Sequence, residues 1–505
     1  MGQSVPTWSE NIACILYTRC TSCHNPAGIA PFSLVDYADA SGAAAGIQDA
    51  VSGNRMPPWP PDAGYRSFAH ERNLSSVEKQ LILDWVSNGT PLGNLANAPA
   101  PPVYLNAEVI QNPDLTATIP TFTIPPISQD LYRCFVVPAN TSIDQYMTAI
   151  EVVPGNRQVV HHVLVYQDTA ATTIQLDTLD PLPGYTSFGG VGSNTAKLIG
   201  AWVPGAEPNF LPTGMGVPIP AGTNIILQIH YPVGSSFQQD STKVKFLLTP
   251  NPSTRIVTVA PILNHSVSLT NGPLFIPADS VKTFYGQQAT PINVTLLAIA
   301  PHMHLIGTSI KAYAVTLALD TIPLINIPSW DFHWQGAYHF RKPVAIPAFS
   351  SFRSEAVYDN TSNNLFNPNI PPQDVSVGES TTDEMMLIYF YFLQYQTGDE
   401  NIIVDTSTAV NTYNGCSFAT SLSEIAHAFS PGVYPNPAID AVVIDLPAGK
   451  TMNMDVFDTS GKLLKSFDQL KDDFMLDISG WDSGVYQFLF DDSTSRIRRS
   501  LVVKR

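Results

Sequence analysis

The residues Arg19-Cys-Thr-Ser-Cys-His24 contain the spacing Cys-x-x-Cys-His, which attaches a c-type haem. The thiols of Cys20 and Cys23 can bond a haem edge covalently, while His24 takes one axial position on the iron. A redox Cys-x-x-Cys pair or half of a zinc site is the alternative, but no second Cys/His pair lies nearby. The sequence therefore predicts one covalent haem c held by these three residues.

The second axial ligand has two candidates. Met56 lies in the segment GNRMPPWPPD, where a thioether sits in a proline-stiffened loop after helical sequence. His70 follows in the same region and could replace it. We expect Met56 to be the ligand.

A second group of histidines and methionines lies in the middle of the chain. Residues two apart on a strand share a face, so His-x-His forms a natural pair of metal ligands. Adjacent histidines point to opposite faces, so they share a metal only if the strand distorts. A thioether added to two imidazoles favours copper. Taken singly, each histidine also suits a structural role. The residues concerned are His161, His162, His230, His302, His304, and Met385 with Met386 as its alternative.

The elements that must position these residues change along the chain. Residues from about 8 to 90 look helical, and Ser75 with Glu78 forms a capping-box pattern. A Pro/Ala-rich linker follows, and then come short apolar runs separated by Pro/Gly/Asn turns, which predict antiparallel strands. We predict a small all-α cytochrome c domain (1–95), a linker (96–124), two all-β, jelly-roll-like sandwich copper domains (125–265 and 266–425) and a small C-terminal β-sandwich (430–505).

Composition limits the possible partners. The chain has 505 residues and a formal net charge of −17, which argues against nucleic acid or anionic lipid as a partner. No run of about twenty apolar residues occurs, so no transmembrane segment is expected. The N-terminus lacks a signal peptide, although haem attachment to this motif takes place outside the cytoplasm, so we expect that a leader has been removed. In an exported protein a disulfide can form, and Cys134 with Cys416 is the expected pair because Cys14 lies one turn before the haem cysteines.

The helical region resembles the small cytochrome c domains found at the front of bacterial multidomain redox proteins. The resemblance rests on APFSLVDYADA, RMPPWPPDAGYRSF and LILDWVSNGTPLG.

Residues 125–420 resemble the copper type II ascorbate-dependent monooxygenases, which include peptidylglycine α-hydroxylating monooxygenase and dopamine β-monooxygenase. The matching contexts are the adjacent histidines, LQIHY, APHMHLIG and TDEMM. The resemblance implies two sandwich domains with one copper each. It places the first copper on His161, His162 and His230, and the second on His302, His304 and Met385. Tyr389 matches a family position near the second copper, whereas Ala300 and Leu387 stand where the peptide-hydroxylating member has Arg and Asn.

The resemblance further implies that O₂ hydroxylates a C–H bond at the second copper. The fused haem c would deliver electrons to the three-His copper, supplied in turn by an external electron donor. The loss of the Arg and Asn predicts a small, neutral organic substrate. The alternative is a haem and copper electron-transfer or copper-binding protein without hydroxylase activity.

The tail resembles the C-terminal sorting domain of the type IX secretion system of Bacteroidetes. The matching residues are Tyr434-Pro-Asn-Pro437, Gly461 in its turn, and Ser483-Gly-Val-Tyr486. This resemblance implies contact with the secretion machinery and a secreted or cell-surface location in a Gram-negative bacterium. A generic β-sandwich binding module is the alternative.

Overall fold

The computed structural model describes residues 5–26, 28, 30–102, 108–187, 190–378, 380–404, 432–434, 438–446, 451–458, 462–471, 474–491 and 496–504. The chain divides into two compact units, Met1–Cys416 and Ser417–Arg505. The described residues form mostly β-sheet with few helices, as the strand patterns predict.

Helices dominate the first ninety residues. A short π-helical turn (Trp8–Ile12) leads into α1 (Ala13–Arg19), and α2 (Tyr37–Gly42), α3 (Ala44–Ser52) and α4 (Ser76–Ser87) follow. The predicted capping box of α4 is confirmed, because Ser75 accepts the Glu78 N–H and Glu78 accepts the Ser75 N–H. Trp85 and Ile82 of α4 pack on Trp8 in the local core. Val77, in the first turn of α4, is 54% exposed and lies outside this core.

The first sandwich follows. A six-stranded sheet contains β1-β12-β4-β9-β13 with β8 paired to β4, and a five-stranded sheet has the order β6-β3-β10-β5-β7. Every residue of β10 is buried, so this strand lies at the centre of the domain. The sandwich also holds one helix, α5 (Thr172–Leu179), which the sequence did not predict. The strands are β1 (Leu115–Thr118), β2 (Phe122–Thr123), β3 (Leu131–Pro138), β4 (Gln145–Val153), β5 (His162–Asp168), β6 (Tyr185–Thr186), β7 (Lys197–Trp202), β8 (Asn209–Phe210), β9 (Met215–Ile219), β10 (Asn224–Tyr231), β11 (Gln239–Asp240), β12 (Lys243–Thr249) and β13 (Arg255–Ile256).

The second sandwich has two four-stranded sheets. Their orders are β14-β23-β17-β20 and β16-β21-β18-β19. The inner faces of both sheets contribute to one apolar core. The strands are β14 (Thr258–Asn264), β15 (Phe275–Ile276), β16 (Ser280–Ala289), β17 (Val294–His302), β18 (Gly307–Val315), β19 (Thr321–Ile327), β20 (Tyr338–Ile346), β21 (Ser351–Asn360), β22 (Val375–Ser376) and β23 (Leu387–Gln394).

Two element boundaries differ from the sequence prediction. The expected linker (96–124) contains β1 and β2, and β1 pairs with β12 along its whole length. The expected end of the first sandwich at residue 265 is too late, because β14 already pairs with β23 of the second sandwich. Alternating apolar patterns are too short in two- and four-residue strands to be recognised from sequence.

The two sandwiches meet in a packed interface. Leu297, Ala298, Tyr391 and Leu393 of the second sandwich belong to the core cluster of the first. At its edge, Arg255 forms a bidentate ion pair with the buried carboxylate of Asp399, with distances of 2.6 and 2.8 Å. Such planar, charge-assisted pairing fixes orientation as well as proximity.

A segment of the N-terminal region, residues 59–72, lies on both sandwiches, and we call it the strap. Its Phe68 is 1% exposed and belongs to the core of the second sandwich, where it stacks on Phe340. Arg72 reaches the first sandwich and donates to the carbonyl of Gly205 at 3.1 Å. The helical region is therefore docked on the copper-domain candidates.

The predicted disulfide is wrong. Cys134 is a free, fully buried thiol between β-strands, whereas Cys14 is disulfide-bonded. Cys416 lies outside the described residues. Cys14 was not expected to form a disulfide because it lies one turn before the haem motif. Its position so close to that motif does not prevent it from forming one.

The second unit contains two sheets with the orders β24-β25-β28 and β27-β26-β29-β30. Their facing side chains form a separate core that includes Phe488 and Phe490. Of the sequence signals noted here, Gly461 and residues 435–437 lie outside the described residues. The strands are β24 (Gly432–Tyr434), β25 (Ala441–Asp445), β26 (Met452–Phe457), β27 (Leu463–Leu470), β28 (Phe474–Asp477), β29 (Gly484–Asp491) and β30 (Arg496–Val503).

Candidate metal centres and their shared cavity

Three histidines converge at one end of the five-stranded sheet of the first sandwich. His230 in β10 lies directly opposite His162, the first residue of β5. His161 precedes the strand, and its N–H donates to the His230 carbonyl at 2.9 Å. Because β5 begins only at His162, the backbone is not regular at the histidine pair, and both rings can turn to the same side.

The donor atoms of this three-His cluster fit one metal ion. Nδ1 of His162 lies 3.3 Å from Nδ1 of His161 and 3.4 Å from Nδ1 of His230. For an imidazole–metal bond of about 2.0–2.1 Å, tetrahedral donors would stand about 3.3–3.4 Å apart. Burial lowers the pKa of His161 to about 4 and holds the pKa of His162 well below its usual value, so both rings are neutral at pH 7 with a lone pair available.

Neighbouring side chains orient the His230 ring. Tyr132 in β3 pairs with His230 across the sheet and stacks on its ring, with centroids 4.4 Å apart and planes within 5°. On the opposite ring nitrogen, Nε2 lies 3.1 Å from Oδ2 of Asp130. The His230 ring lowers the pKa of Asp130, so this carboxylate stays ionised. A carboxylate behind a ligating histidine fixes the ring and raises its basicity toward a metal.

The second cluster lies where β17 ends and β23 begins. His302, the last residue of β17, pairs with Leu387, the first residue of β23. His304 lies two residues after His302, and Met385 lies two residues before Leu387. Both therefore stand on segments of the chain that diverge from the sheet at this end. The rings of His302 and His304 are 5.1 Å apart and nearly perpendicular. The His-Met-His segment is therefore not a continuous strand, and its two rings meet at a strand end.

Both rings of this cluster are held through Nδ1. Nδ1 of His302 lies 2.5 Å from Oε1 of Gln335, and Nδ1 of His304 lies 3.0 Å from the Asp383 carbonyl. These contacts leave Nε2 of each ring available for a metal. Burial lowers the pKa of His302 to about 3 and of His304 to about 4, so both are neutral at pH 7.

A buried glutamate joins the two halves of this cluster. The side chain of Glu384 is fully buried and accepts backbone N–H bonds from His304 and Ile306 at 2.9 Å each and from Met385 at 3.1 Å. Burial raises the pKa of Glu384 to about 8, while these donors act to lower it. One carboxyl group thereby fixes the turn that carries His304 relative to the turn that carries Met385.

The two adjacent methionines point to different places. Met386 is fully buried in the core of the second sandwich. Met385 lines the cavity beside His302 and His304. Its carbonyl accepts a hydrogen bond from the Tyr358 hydroxyl at 2.8 Å. This arrangement makes Met385 rather than Met386 the available thioether.

Both clusters reach a cavity of about 1500 Å³, which His161 and His162 line on one side and His302, His304 and Met385 line on the other. Ala300, Leu387 and Tyr389 form part of its wall next to the second cluster. Between the clusters, a short 3₁₀ turn carries Phe332 against the His304 ring at 5.9 Å and His333 against the His161 ring at 6.1 Å. Reactants in the cavity can therefore meet both clusters.

The haem motif folds as one turn after α1. The N–H groups of Cys23 and His24 both donate to the Cys20 carbonyl, and both thiols are free. Nδ1 of His24 lies 3.1 Å from the Phe32 carbonyl, which leaves Nε2 for an axial bond. Burial lowers the pKa of His24, so its ring is neutral. These residues therefore fit a covalent haem.

The two candidates for the other axial position lie in different surroundings. Met56 is partly buried in the loop after α3, and its N–H donates to the Ala50 carbonyl at 3.3 Å. His70 lies in the strap with Nδ1 3.2 Å from Oε2 of Glu207 in the first sandwich. The ring of His70 thus faces the copper-domain candidate.

Sequence reasoning missed the residues that support the clusters. Asp130, Gln335 and Glu384 hold ligand-bearing groups, and His265, to which no role was given, accepts the Met386 N–H at 3.2 Å through Nδ1. Glu384 is visible in the sequence TDEMM directly before Met385. The His304 and Ile306 N–H groups that it binds lie about 80 residues earlier in the chain, so their contact with it cannot be seen in the sequence. Supporting contacts of this kind depend on tertiary structure.

Comparisons with known proteins identify two parts of the chain. Residues 115–236 match the copper type II ascorbate-dependent monooxygenase N-terminal domain, and residues 432–504 match the secretion system C-terminal sorting domain. No curated protein matches the chain. In the described residues, no helix is long and apolar enough to span a bilayer.

Solved structures give partial matches. PorZ, a surface component of the type IX secretion system of Porphyromonas gingivalis, is 26% identical over 16% of this chain and 13% of its own, with a TM-score of 0.14. A β-glucuronidase of Faecalibacterium prausnitzii is 10% identical over 51% of this chain and 42% of its own, with a TM-score of 0.13. The chain thus spans less than half the length of each.

The sorting domain indicates export and a secreted or cell-surface location in Bacteroidetes, and it suggests interaction with the type IX machinery. The copper domain and the three-His cluster support copper as a cofactor and suggest an oxidoreductase. The chain thus carries an N-terminal domain of the copper type II ascorbate-dependent monooxygenase family and a type IX secretion C-terminal sorting domain.

Proposed function

We propose that this chain is a secreted copper-dependent monooxygenase that uses O₂ to hydroxylate a C–H bond of a small, neutral organic substrate. The observation that carries the proposal is that two histidine clusters of different composition reach one cavity, through His161 and His162 on one side and through His302, His304 and Met385 on the other. The overall reaction adds one oxygen atom to the substrate and reduces the other to water. It consumes two electrons and two protons.

The two clusters have different roles in this proposal. His161, His162 and His230 hold one copper, and His302, His304 and Met385 hold the other. The thioether of Met385 would favour the reduced form of a copper ion held there. The three-imidazole site, with Asp130 behind His230, is the site that stores an electron. When bound, the two coppers supply the electron transfer and the activation of oxygen.

The wall beside the second cluster limits the substrate. Ala300 pairs with Tyr389 across the sheet, and both line the cavity with Leu387. No charged group stands at these three positions, and burying an unpaired ionised carboxylate costs on the order of several kcal/mol. The Tyr389 hydroxyl is then the polar handle for a neutral, largely apolar or aromatic substrate.

We further propose that Cys20, Cys23, His24 and Met56 hold a haem c that supplies electrons to the three-His site. The docking of the helical region on the sandwiches supports this proposal, because a docked donor has a fixed position. An external donor would reduce the haem. The sorting domain would serve secretion and have no part in catalysis.

The experiment that tests hydroxylation is turnover under oxygen-18 gas with a set of neutral aromatic and alkyl compounds beside a glycine-extended peptide. Product that contains one oxygen-18 atom from the neutral set supports the proposal. Oxygen consumption without labelled product would instead indicate an electron-transfer protein. Turnover of the peptide alone would refute the substrate assignment.

A further inference from the structure

The haem-bearing segment touches the first sandwich at one glycine. An ideal Cβ on Gly205 would lie 3.4 Å from Sγ of Cys23 and 2.6 Å from Nη1 of Arg72. Gly205 also has a φ of +78°, which side chains other than glycine rarely adopt. A Cβ at this position would be in van der Waals contact with the Cys23 sulfur and would press on the end of the Arg72 side chain, so the sulfur lies next to the Gly205 backbone.

Gly205 is close in the chain and in space to the three-His cluster. It follows β7 by three residues, and the last residue of β7, Trp202, pairs with Val163 of β5. Val163 is the neighbour of His162. The backbone therefore connects the Cys23 contact with a candidate copper ligand through one loop and one strand pair.

The strap fixes this contact from the side of the first sandwich. Nη1 of Arg72 donates to the Gly205 carbonyl at 3.1 Å, and its guanidinium lies 5.6 Å from the centre of the Trp59 ring. His70 lies beside Glu207 two residues further along the loop. The loop is therefore held at the position that faces Cys23.

The strap is fixed to the second sandwich by burial. Phe68 lies in its core and pairs with Phe340 as an isolated β-bridge. The Ala69 N–H donates to the His339 carbonyl, and the Asp62 N–H to the Asn326 carbonyl, both at 2.8 Å. A strap with a buried aromatic anchor and backbone hydrogen bonds opens rarely.

We propose that the contact between Cys23 and Gly205 is the point at which electrons enter the copper domains, and that the strap is the clamp that keeps this contact closed. The inference rests on the proposed function for its haem and its copper. One electron passes per event: haem iron is oxidised from ferrous to ferric and one copper is reduced from cupric to cuprous. The external donor replaces the electron, and no proton or bond is transferred.

The clamp is tested by amide hydrogen exchange on the full chain without copper. Phe68→Ala should raise the exchange rate of the Ala69 and Asp62 amides by about a hundredfold or more, because truncating a buried Phe removes its anchor. Phe352→Ala is the matched control, since Phe352 is 4% exposed in the same core and lies outside the strap. Equal acceleration in both variants, or none in Phe68→Ala, would show that the strap is not a clamp.

The entry point is tested by rapid reduction of the haem in anaerobic, copper-loaded protein, followed by the decay of ferrous haem absorption. Gly205→Leu should slow this decay severalfold, because its side chain meets Cys23 and Arg72. Gly222→Leu is the control, with φ +73° and no atom within 4 Å of its Cβ, so it carries the same backbone strain without the contact. Arg72→Ala should slow the decay without any backbone strain.

These experiments distinguish a wrong entry point for the electrons from a wrong assignment of haem delivery. Equal decay in both leucine variants, with Arg72→Ala unchanged, would place the entry point elsewhere. Ferrous haem that persists in unmodified copper-loaded protein would overturn both the entry point and haem delivery. Hydroxylation itself would still be decided by the oxygen-18 experiment with an external reductant.

Discussion

Replacing Glu384 with glutamine should weaken metal binding at the second cluster and leave the first cluster intact. The buried Glu384 carboxyl group accepts hydrogen bonds from the backbone N–H groups of His304, Ile306 and Met385. An amide has one accepting oxygen, and its NH₂ group faces the remaining donors. At least one buried N–H group then loses its acceptor.

The magnitude follows from that loss. An unsatisfied buried donor costs about 1–3 kcal/mol, so the free energy of unfolding should fall by about that amount. Loss of a contact that orients metal ligands typically lowers metal affinity by about 10–100-fold. We expect weaker copper binding only at the second cluster, which His302, His304 and Met385 form.

The assay is copper titration of the full chain against a competing chelator, combined with thermal unfolding. Glu151→Gln is the matched control, because Glu151 is also buried and accepts two backbone N–H groups, from Val109 and Ile110, at 2.7 Å. It should lose stability without losing copper at the second cluster. The reasoning is refuted if Glu384→Gln binds the second copper with unchanged affinity, or if both variants lose it equally.

Three further outcomes are expected. Met56→Ala should remove the weak long-wavelength absorption band of a methionine-ligated ferric haem, whereas His70→Ala should keep it; the reverse result would make His70 the ligand. His302→Ala should retain one copper per chain by metal analysis, and His161→Ala should retain the other; zinc in both sites of the native protein would contradict the copper assignment. The pKa of Asp399 would be raised by burial, but its hydrogen bonds to Arg255 and Thr295 lower it from 3.8 to about 2. Because the folded-state pKa lies below the unfolded value, the stabilisation of about 2 kcal/mol is fully present well above the unfolded pKa of 3.8 and is lost as the pH falls through about 2; denaturant unfolding of Asp399→Asn at pH 7 and pH 3 should show a stability deficit that shrinks at the lower pH.

Local patterns carried much of the fold prediction. The capping box before α4 and the alternating strands could be read directly, because neighbouring residues determine them. The short strands β1 and β2 could not, since pairing with distant strands stabilises them. The disulfide prediction failed because chain spacing does not determine which thiols approach each other.

The candidate sites were predictable as residue types but not as geometry. On a regular strand His161 and His162 would point to opposite faces, but β5 begins only at His162, so this rule does not apply to them. The pattern His-x-His predicts two ligands on one strand, whereas β17 ends at His302 and leaves His304 beyond it. The choice between Met385 and Met386 depends on which side chain enters the core.

Phe68 has a consequence for how the chain is made. Its carbonyl accepts a hydrogen bond from Arg341, which is 273 residues further along the chain. During synthesis from the N-terminus, the strap cannot reach its final place until β20 has emerged, so an aromatic side chain stays exposed for most of that time. Contacts of such long sequence separation slow folding and leave apolar surface open to association. We expect the helical region to acquire its own structure first and the strap to lock last, so residues 59–72 are the segment that stays open to association longest.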